Sequence, residues 1–159
     1  MDVIKEQYKF VIDSRRVLTE YCGKISYKDF IKENANFGGR SIEFLFLHII
    51  NTYQFWLKEF PSQTKLKYHS YDSKFSLENV LSFFENTNSI VENFLNEYKN
   101  VINEKITREI KIKNTNLEVT PLQLYTHVSM HEFHHKGQIL TMSRMLGYTP
   151  VDTDVIRFE

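Results

Sequence analysis

The chain of 159 residues contains a single cysteine, Cys22, so it cannot form an intrachain disulfide. Disulfides are typical of small secreted domains, and their absence favours a reducing compartment. The sequence also has only five glycines and three prolines, the residues that most often interrupt regular structure. These shortages favour a helical protein of the cytoplasm.

Neither sign of charge is in excess, because 20 Lys and Arg balance 20 Asp and Glu. No basic surface for nucleic acid or for an anionic membrane is therefore expected. The longest apolar run, at residues 44–47, ends at His48 and is far too short to span a bilayer. The first residues lack the basic start of a secretory signal. We expect a cytoplasmic protein that acts on a small molecule, without nucleic acid or membrane.

Aromatic side chains are abundant, and the 13 Phe and 9 Tyr can fill one core. The length suits a single domain, which we assign to residues 1–159. Four long segments carry apolar residues at helical spacing, at about residues 2–22, 41–60, 76–98 and 120–146. The second of them is predicted to stop before Pro61, and a short turn of helix is predicted after Ser26.

The fourth helix has the clearest start signal, because Thr120, Pro121 and Gln123 together form a capping box with proline at the first helical position. Gly147 is expected to end it in a left-handed conformation. Residues 106–119 alternate in polarity around a turn-like Asn-Thr-Asn sequence, which predicts a short β-hairpin. The predicted fold is all-α, an antiparallel four-helix bundle with a hairpin between the third and fourth helices.

Three histidines follow one another at four-residue intervals in the fourth helix, His127, His131 and His135, and His134 borders the same face. Residues four apart lie about 5–6 Å from each other on a helix, so two such imidazoles can reach one metal ion. On a helical wheel, His131 and His135 lie in the apolar stripe and are expected to face the bundle interior.

On the second helix, His48 shares a face with Phe44 and Thr52, so it can meet the histidines of the fourth helix. Metal sites in bundle cores are built in this way, from side chains on facing helices. Taken alone, His48 could also be a core histidine that makes ordinary hydrogen bonds and binds no metal. His69 lies in a polar segment and is expected at the surface.

Residues 131–135 read His-Glu-Phe-His-His and match the H-E-x-x-H signature of zinc proteases. The longer protease pattern fails, because Gln138 and Thr141 stand where it needs Gly and His. A di-iron bundle needs two Glu-x-x-His motifs, and only one is present. Glu132 is rotated about 100° from the histidines, toward a supporting or surface position. Three imidazoles favour one divalent ion, zinc or nickel, with an open coordination position.

Two segments resemble motifs of DinB-like proteins, the DinB/YfiT superfamily. Residues 41–56, with His48 and a terminal Trp56, resemble the second-helix motif of that family. Residues 127–139 resemble its fourth-helix motif, H-x-x-x-H followed by a basic residue, Gly and Gln, and residues 146–154 are similar to its closing segment.

The resemblance implies a four-helix bundle, often a homodimer, with a divalent metal ion held by three histidines. By position these are His48, His131 and His135. Lys136 stands where many members have arginine, and we assign it no chemical role. Characterised relatives include S-transferases and isomerases that use low-molecular-weight thiols such as bacillithiol or mycothiol.

Three functions follow from such a site. The first is a metal-dependent thiol S-transferase, in which His127 and His134 orient the ligands or shuttle a proton, or are ordinary core and surface side chains. The second is metal-assisted hydrolysis with Glu132 or His134 as the base. The third is a non-catalytic metal-binding stress-response protein. Tyr125 is a further candidate for a polar contact.

Overall fold

The computed structural model describes residues 2–157, apart from the side chains of Asp2 and Ile112. The four long helices of this part of the chain are α1 (Asp2–Cys22), α2 (Ile42–Gln54), α3 (Leu77–Glu97) and α4 (Pro121–Met145). Strands β1 (Ile106–Ile110) and β2 (Thr115–Val119) pair antiparallel, with Ile106 opposite Val119. The predicted helical bundle with a hairpin before its last helix is confirmed.

Side-chain caps define where the long helices begin. The Ser41 hydroxyl accepts a hydrogen bond from the Phe44 amide at the start of α2. Ser76 before α3 and Thr120 before α4 each form a complete capping box. Gly147 adopts φ 93° just beyond α4, a left-handed conformation that glycine accommodates without strain. Each cap stabilises its helix by about 1 kcal/mol, and the predicted ends of α4 are confirmed.

Short helical segments complete the chain. Tyr27–Phe30 is a short helix capped by Ser26, as predicted, and Ala35–Phe37 and Lys111–Lys113 are 3₁₀ turns. Beyond α2 the helical backbone continues as a π-helical turn, Phe55–Glu59, and a final turn, Phe60–Ser62. The prediction that this helix stops before Pro61 is therefore wrong. Pro61 lies just after the π-helical turn and one residue before the last helical residue, so the hydrogen bond that it cannot donate is lost only at the end of the helix.

The four helices form a square in which α1 and α2 occupy opposite corners. Both pack against α3 and against α4. Helices α1 and α4 run in the same direction, since Tyr125 bonds the Ile4 carbonyl at one end and Tyr21 bonds Ser143 at the other. The sequence had suggested that neighbouring helices are antiparallel, but α1 and α4 are parallel. None of the described helices is long and apolar enough to cross a membrane.

Helices α2 and α4 do run antiparallel, and this pair carries the histidines. His48 lies beside His131 in the middle of the pair, and Trp56 near the end of α2 lies beside His127 near the start of α4. The antiparallel arrangement brings the middle of α2 to the middle of α4, which places the cluster at half the height of the bundle.

A long segment, residues 63–76, connects α2 to α3 and runs back along α2. The Leu66 amide bonds the Glu59 carboxylate, the His69 backbone exchanges two hydrogen bonds with Asn51, and the Phe75 amide bonds the Glu43 carboxylate. The expectation that His69 lies at the surface is wrong: it is half-buried, and its ring stacks on Phe83 with centroids 3.8 Å apart. This path also brings Tyr71 to His48.

Candidate metal centre

Three imidazoles from two helices converge at one point. Nε2 of His131 lies 3.1 Å from Nε2 of His48 and 3.0 Å from Nε2 of His135. The ligand atoms of the three residues all lie within 4.8 Å of one another. The predicted convergence of α2 and α4 histidines is confirmed, and the three could hold one metal ion.

The cluster lies at the edge of the core rather than at its centre. His135 is buried, with 5% of its surface exposed, whereas His48 and His131 are half-buried. The centre of the buried face of α4 is formed instead by Val128, Glu132 and Ile139. The expectation that His131 faces the bundle interior is therefore only partly right. Its position at the edge leaves the cluster accessible from outside.

Burial favours the neutral form of all three rings. Burial, with smaller effects of His135 and Arg40, lowers the pKa of His48 from 6.5 to about 4. Burial lowers the pKa of His131 to about 3 and also lowers the pKa of His135. Neutral imidazole is the form that binds a metal ion, so no proton has to be displaced at neutral pH.

Hydrogen bonds alone cannot satisfy the three convergent nitrogens. Nδ1 of His135 lies 2.7 Å from Oε1 of Gln138, an oxygen that can only accept, so Nδ1 carries the hydrogen and Nε2 has a lone pair. Nε2 of His131 has at most one hydrogen, yet it faces two other nitrogens. A single cation engages all three lone pairs, so the donor set fits a divalent metal ion.

His48 is oriented by aromatic neighbours. The Tyr71 hydroxyl lies 3.4 Å from its Nδ1, and the Tyr71 ring stacks on Phe44 with centroids 4.4 Å apart. Phe44, one helical turn before His48, stacks on the His48 ring at 6.3 Å. Tyr71 was not predicted as a site residue, because it lies in a segment without periodicity.

Glu132 belongs to a different network. Its two carboxylate oxygens each accept a hydrogen bond of 2.8 Å from Arg15, and Oε2 also accepts one from the Tyr53 hydroxyl. Burial raises the pKa of Glu132, but the charge and hydrogen bonds of Arg15 outweigh burial and hold this pKa below its ordinary value. With 1% of its surface exposed, Glu132 is not at the surface, and its bonds leave it unsuited to act as a base.

The remaining candidates lie around the cluster without joining it. His127 is exposed, with its ring 5.2 Å from Trp56 and 5.8 Å from His131. His134 is exposed and contacts Gln138 at 3.3 Å. Tyr125 is buried against α1 and bonds the Ile4 carbonyl, so its hydroxyl is used by the fold.

A groove of about 590 Å³ opens beside His131 along α4. Its walls come from α4 alone: Leu122, Gln123, Thr126, His127, Met130, His131 and His134. Met130 is 68% exposed and gives the groove a flexible apolar wall. The groove is open to solvent and borders the cluster at His131.

Comparison with known protein families agrees with this geometry. The DinB family model matches residues 1–159, the whole chain. No curated protein matches the sequence. The matched range contains the three clustered histidines and Gln138, which supports one of them by a hydrogen bond.

Proposed function

This chain belongs to the DinB family, and we propose that it binds one divalent metal ion, zinc or nickel, through Nε2 of His48, His131 and His135. The proposal is carried by one observation, the convergence of three neutral imidazole nitrogens at 3.0 and 3.1 Å. Two nitrogens bound to one tetrahedral zinc ion lie about 3.3–3.4 Å apart. Binding would therefore open the two short pairs slightly and bring His48 and His135, whose ligand atoms lie within 4.8 Å, to the same separation.

We propose that the metal centre serves a thiol S-transferase whose cosubstrate is a low-molecular-weight thiol of the bacillithiol type. When bound, the ion supplies a positive charge that lowers the pKa of a thiol, and the thiolate is the reactive form. The sulfur forms a bond to an electrophilic carbon, and the leaving group departs with the electron pair of the bond that breaks.

The sulfur has to come from a small molecule, because the protein's own thiol is unsuitable. Cys22 is 2% exposed, and burial raises its pKa to about 12. A thiol that remains protonated at neutral pH is a poor nucleophile. The groove along α4 offers a place for the electrophile, with Met130 and Leu122 as apolar contacts.

Hydrolysis is less well supported than thiol transfer. It requires a base beside the metal centre, and both oxygens of Glu132 are already bonded by Arg15. His134 is exposed and has no contact with the three clustered rings other than its edge contact with His135. The homodimer and the small-molecule substrate remain predictions.

Metal affinity tests the ligand assignment. We expect the protein to bind about one equivalent of zinc, and His48→Ala to lower its affinity at least 100-fold, beyond the 10–100-fold loss typical of supporting residues. His69→Ala is the matched control, because His69 precedes α3 and contributes no ligand atom to the cluster. Isothermal titration calorimetry measures both. Equal affinities of the two variants would contradict the assignment.

Conjugation assays test the reaction. The metal-loaded protein is incubated with an electrophile such as monobromobimane and a panel of thiols, and product is quantified by chromatography. We expect product formation that depends on both metal and thiol, and its loss after chelation and in His135→Ala. Ester or amide turnover without thiol would favour hydrolysis instead, and no turnover with metal bound would favour a non-catalytic role.

A further inference from the structure

Arg40 lies against Phe44, one of the aromatic neighbours of His48. It directly precedes Ser41, the cap of α2, and its backbone is held by a bridge in which the Asn34 amide bonds the Arg40 carbonyl at 3.0 Å. Its guanidinium carbon lies 5.5 Å from the centroid of the Phe44 ring, which in turn stacks on His48. Arg40 thus presents a positive charge next to the cluster.

Arg40 has no acidic partner in the described part of the chain. Arg15, Arg16 and Arg157 each pair with a carboxylate. Within residues 2–157, no carboxylate lies within salt-bridge distance of Arg40 or of Arg144, an exposed residue in the last turn of α4. Arg40 therefore combines a free guanidinium with a position beside the three histidines.

Among the described residues, no carboxylate joins the three histidines as a possible metal ligand. Three neutral imidazoles leave the charge of a divalent ion uncompensated, and Arg40 adds to it. Such a site attracts anions and favours ligands with more than one negative group.

We propose that Arg40 binds a carboxylate on the same small thiol whose sulfur reaches the metal centre. The planar fork of a guanidinium matches a carboxylate in two parallel hydrogen bonds, and stacking on Phe44 keeps this fork in place. Arg40 is thus the residue that selects anionic thiols over neutral ones. This inference rests on the proposed function and names the chemical class of its thiol.

Cobalt substitution tests the proposal without an activity assay. Binding of a thiolate to protein-bound Co²⁺ produces a charge-transfer absorption band, which is titrated with 3-mercaptopropionate and with neutral 2-mercaptoethanol. We expect Arg40→Gln to weaken binding of 3-mercaptopropionate about tenfold or more, the loss of one strong charged hydrogen-bond pair, and to leave 2-mercaptoethanol unchanged.

Two further variants complete the test. Arg144→Gln removes another exposed arginine, which follows the proposed ligands in the last turn of α4, and should change neither affinity. Arg40→Lys should recover part of the preference by restoring the charge. Unchanged binding of 3-mercaptopropionate by Arg40→Gln, or an equal loss for both thiols, would overturn the role of Arg40. If no thiol produces the band with the cobalt-loaded native protein, the proposed thiol function fails first, and the role of Arg40 fails with it.

Discussion

At the scale of single residues, Gln138 connects the metal centre to the protein around it. Its Oε1 accepts a hydrogen bond from Nδ1 of His135, and its Nε2 lies 3.3 Å from Nε2 of His134. Because the side-chain oxygen can only accept, it holds His135 in the tautomer that directs a lone pair at His48 and His131. Gln138 is therefore a positioning residue for the proposed ligand.

Replacing Gln138 should weaken metal binding without removing a ligand. We expect Gln138→Leu to lower zinc affinity about 10–100-fold, because the tautomer and orientation of His135 are no longer fixed. Thr141→Ala is a suitable control, since Thr141 is exposed on the same helix and bonds only the Gly137 carbonyl. Competition with a chromophoric chelator measures both affinities. A zinc affinity of Gln138→Leu equal to that of Thr141→Ala would show that this hydrogen bond has no such role.

Lys136 also has a role that its charge alone does not suggest. It is 1% exposed, its Nζ lies 3.3 Å from the centroid of the Phe133 ring, and it donates a 2.5 Å hydrogen bond to Ser14. The Ser14 hydroxyl in turn bonds the Thr153 carbonyl. The basic residue of the fourth-helix motif thus connects α4, α1 and the segment after α4.

At the scale of elements, the ends of α4 were predictable and its rotation was not. Thr120, Gln123 and Gly147 act locally, so the sequence contains their full signal. The buried face of α4, however, includes two charged residues, Glu132 and Lys136, which an apolar pattern assigns to solvent. Because these two charged residues were assigned to solvent, the predicted buried face of α4 was centred near His131 instead of near Glu132.

A signal for the buried charges was nevertheless present in α1. Arg15 lies four residues after Val11 and three before Leu18, both buried, so it belongs to the inward face of that helix. An inward arginine requires an inward carboxylate. The path of residues 63–76 and the positions of Tyr71 and Arg40 had no comparable signal, because tertiary packing alone brings them to His48.

At the scale of the whole molecule, one buried network joins all four helices. Arg15 of α1 pairs with Glu132 of α4, and its Nη1 donates a 2.8 Å hydrogen bond to Asn88 of α3. Tyr53 of α2 bonds the same carboxylate at 2.8 Å. The network specifies how the helices are rotated relative to one another, which in turn determines where the histidines on α2 and α4 point.

The network leads to a prediction about stability. Glu132→Leu leaves the Arg15 charge buried without its partner, and we expect it to lower the free energy of unfolding by about 3–5 kcal/mol. The double variant Arg15→Met with Glu132→Leu removes both charges and should recover most of that loss. Urea unfolding of the metal-free proteins measures the three values. A double variant no more stable than Glu132→Leu would contradict this account.

The separation of 83 positions between His48 and His131 would affect when the protein can acquire the proposed ion during synthesis. A ribosome makes the chain from its N-terminus at roughly 5–20 residues per second, so α2 emerges several seconds before α4. During that interval the nascent chain offers only one of the three proposed ligands, and a single imidazole is a weak chelator. Binding of the proposed ion would therefore have to follow translation of α4.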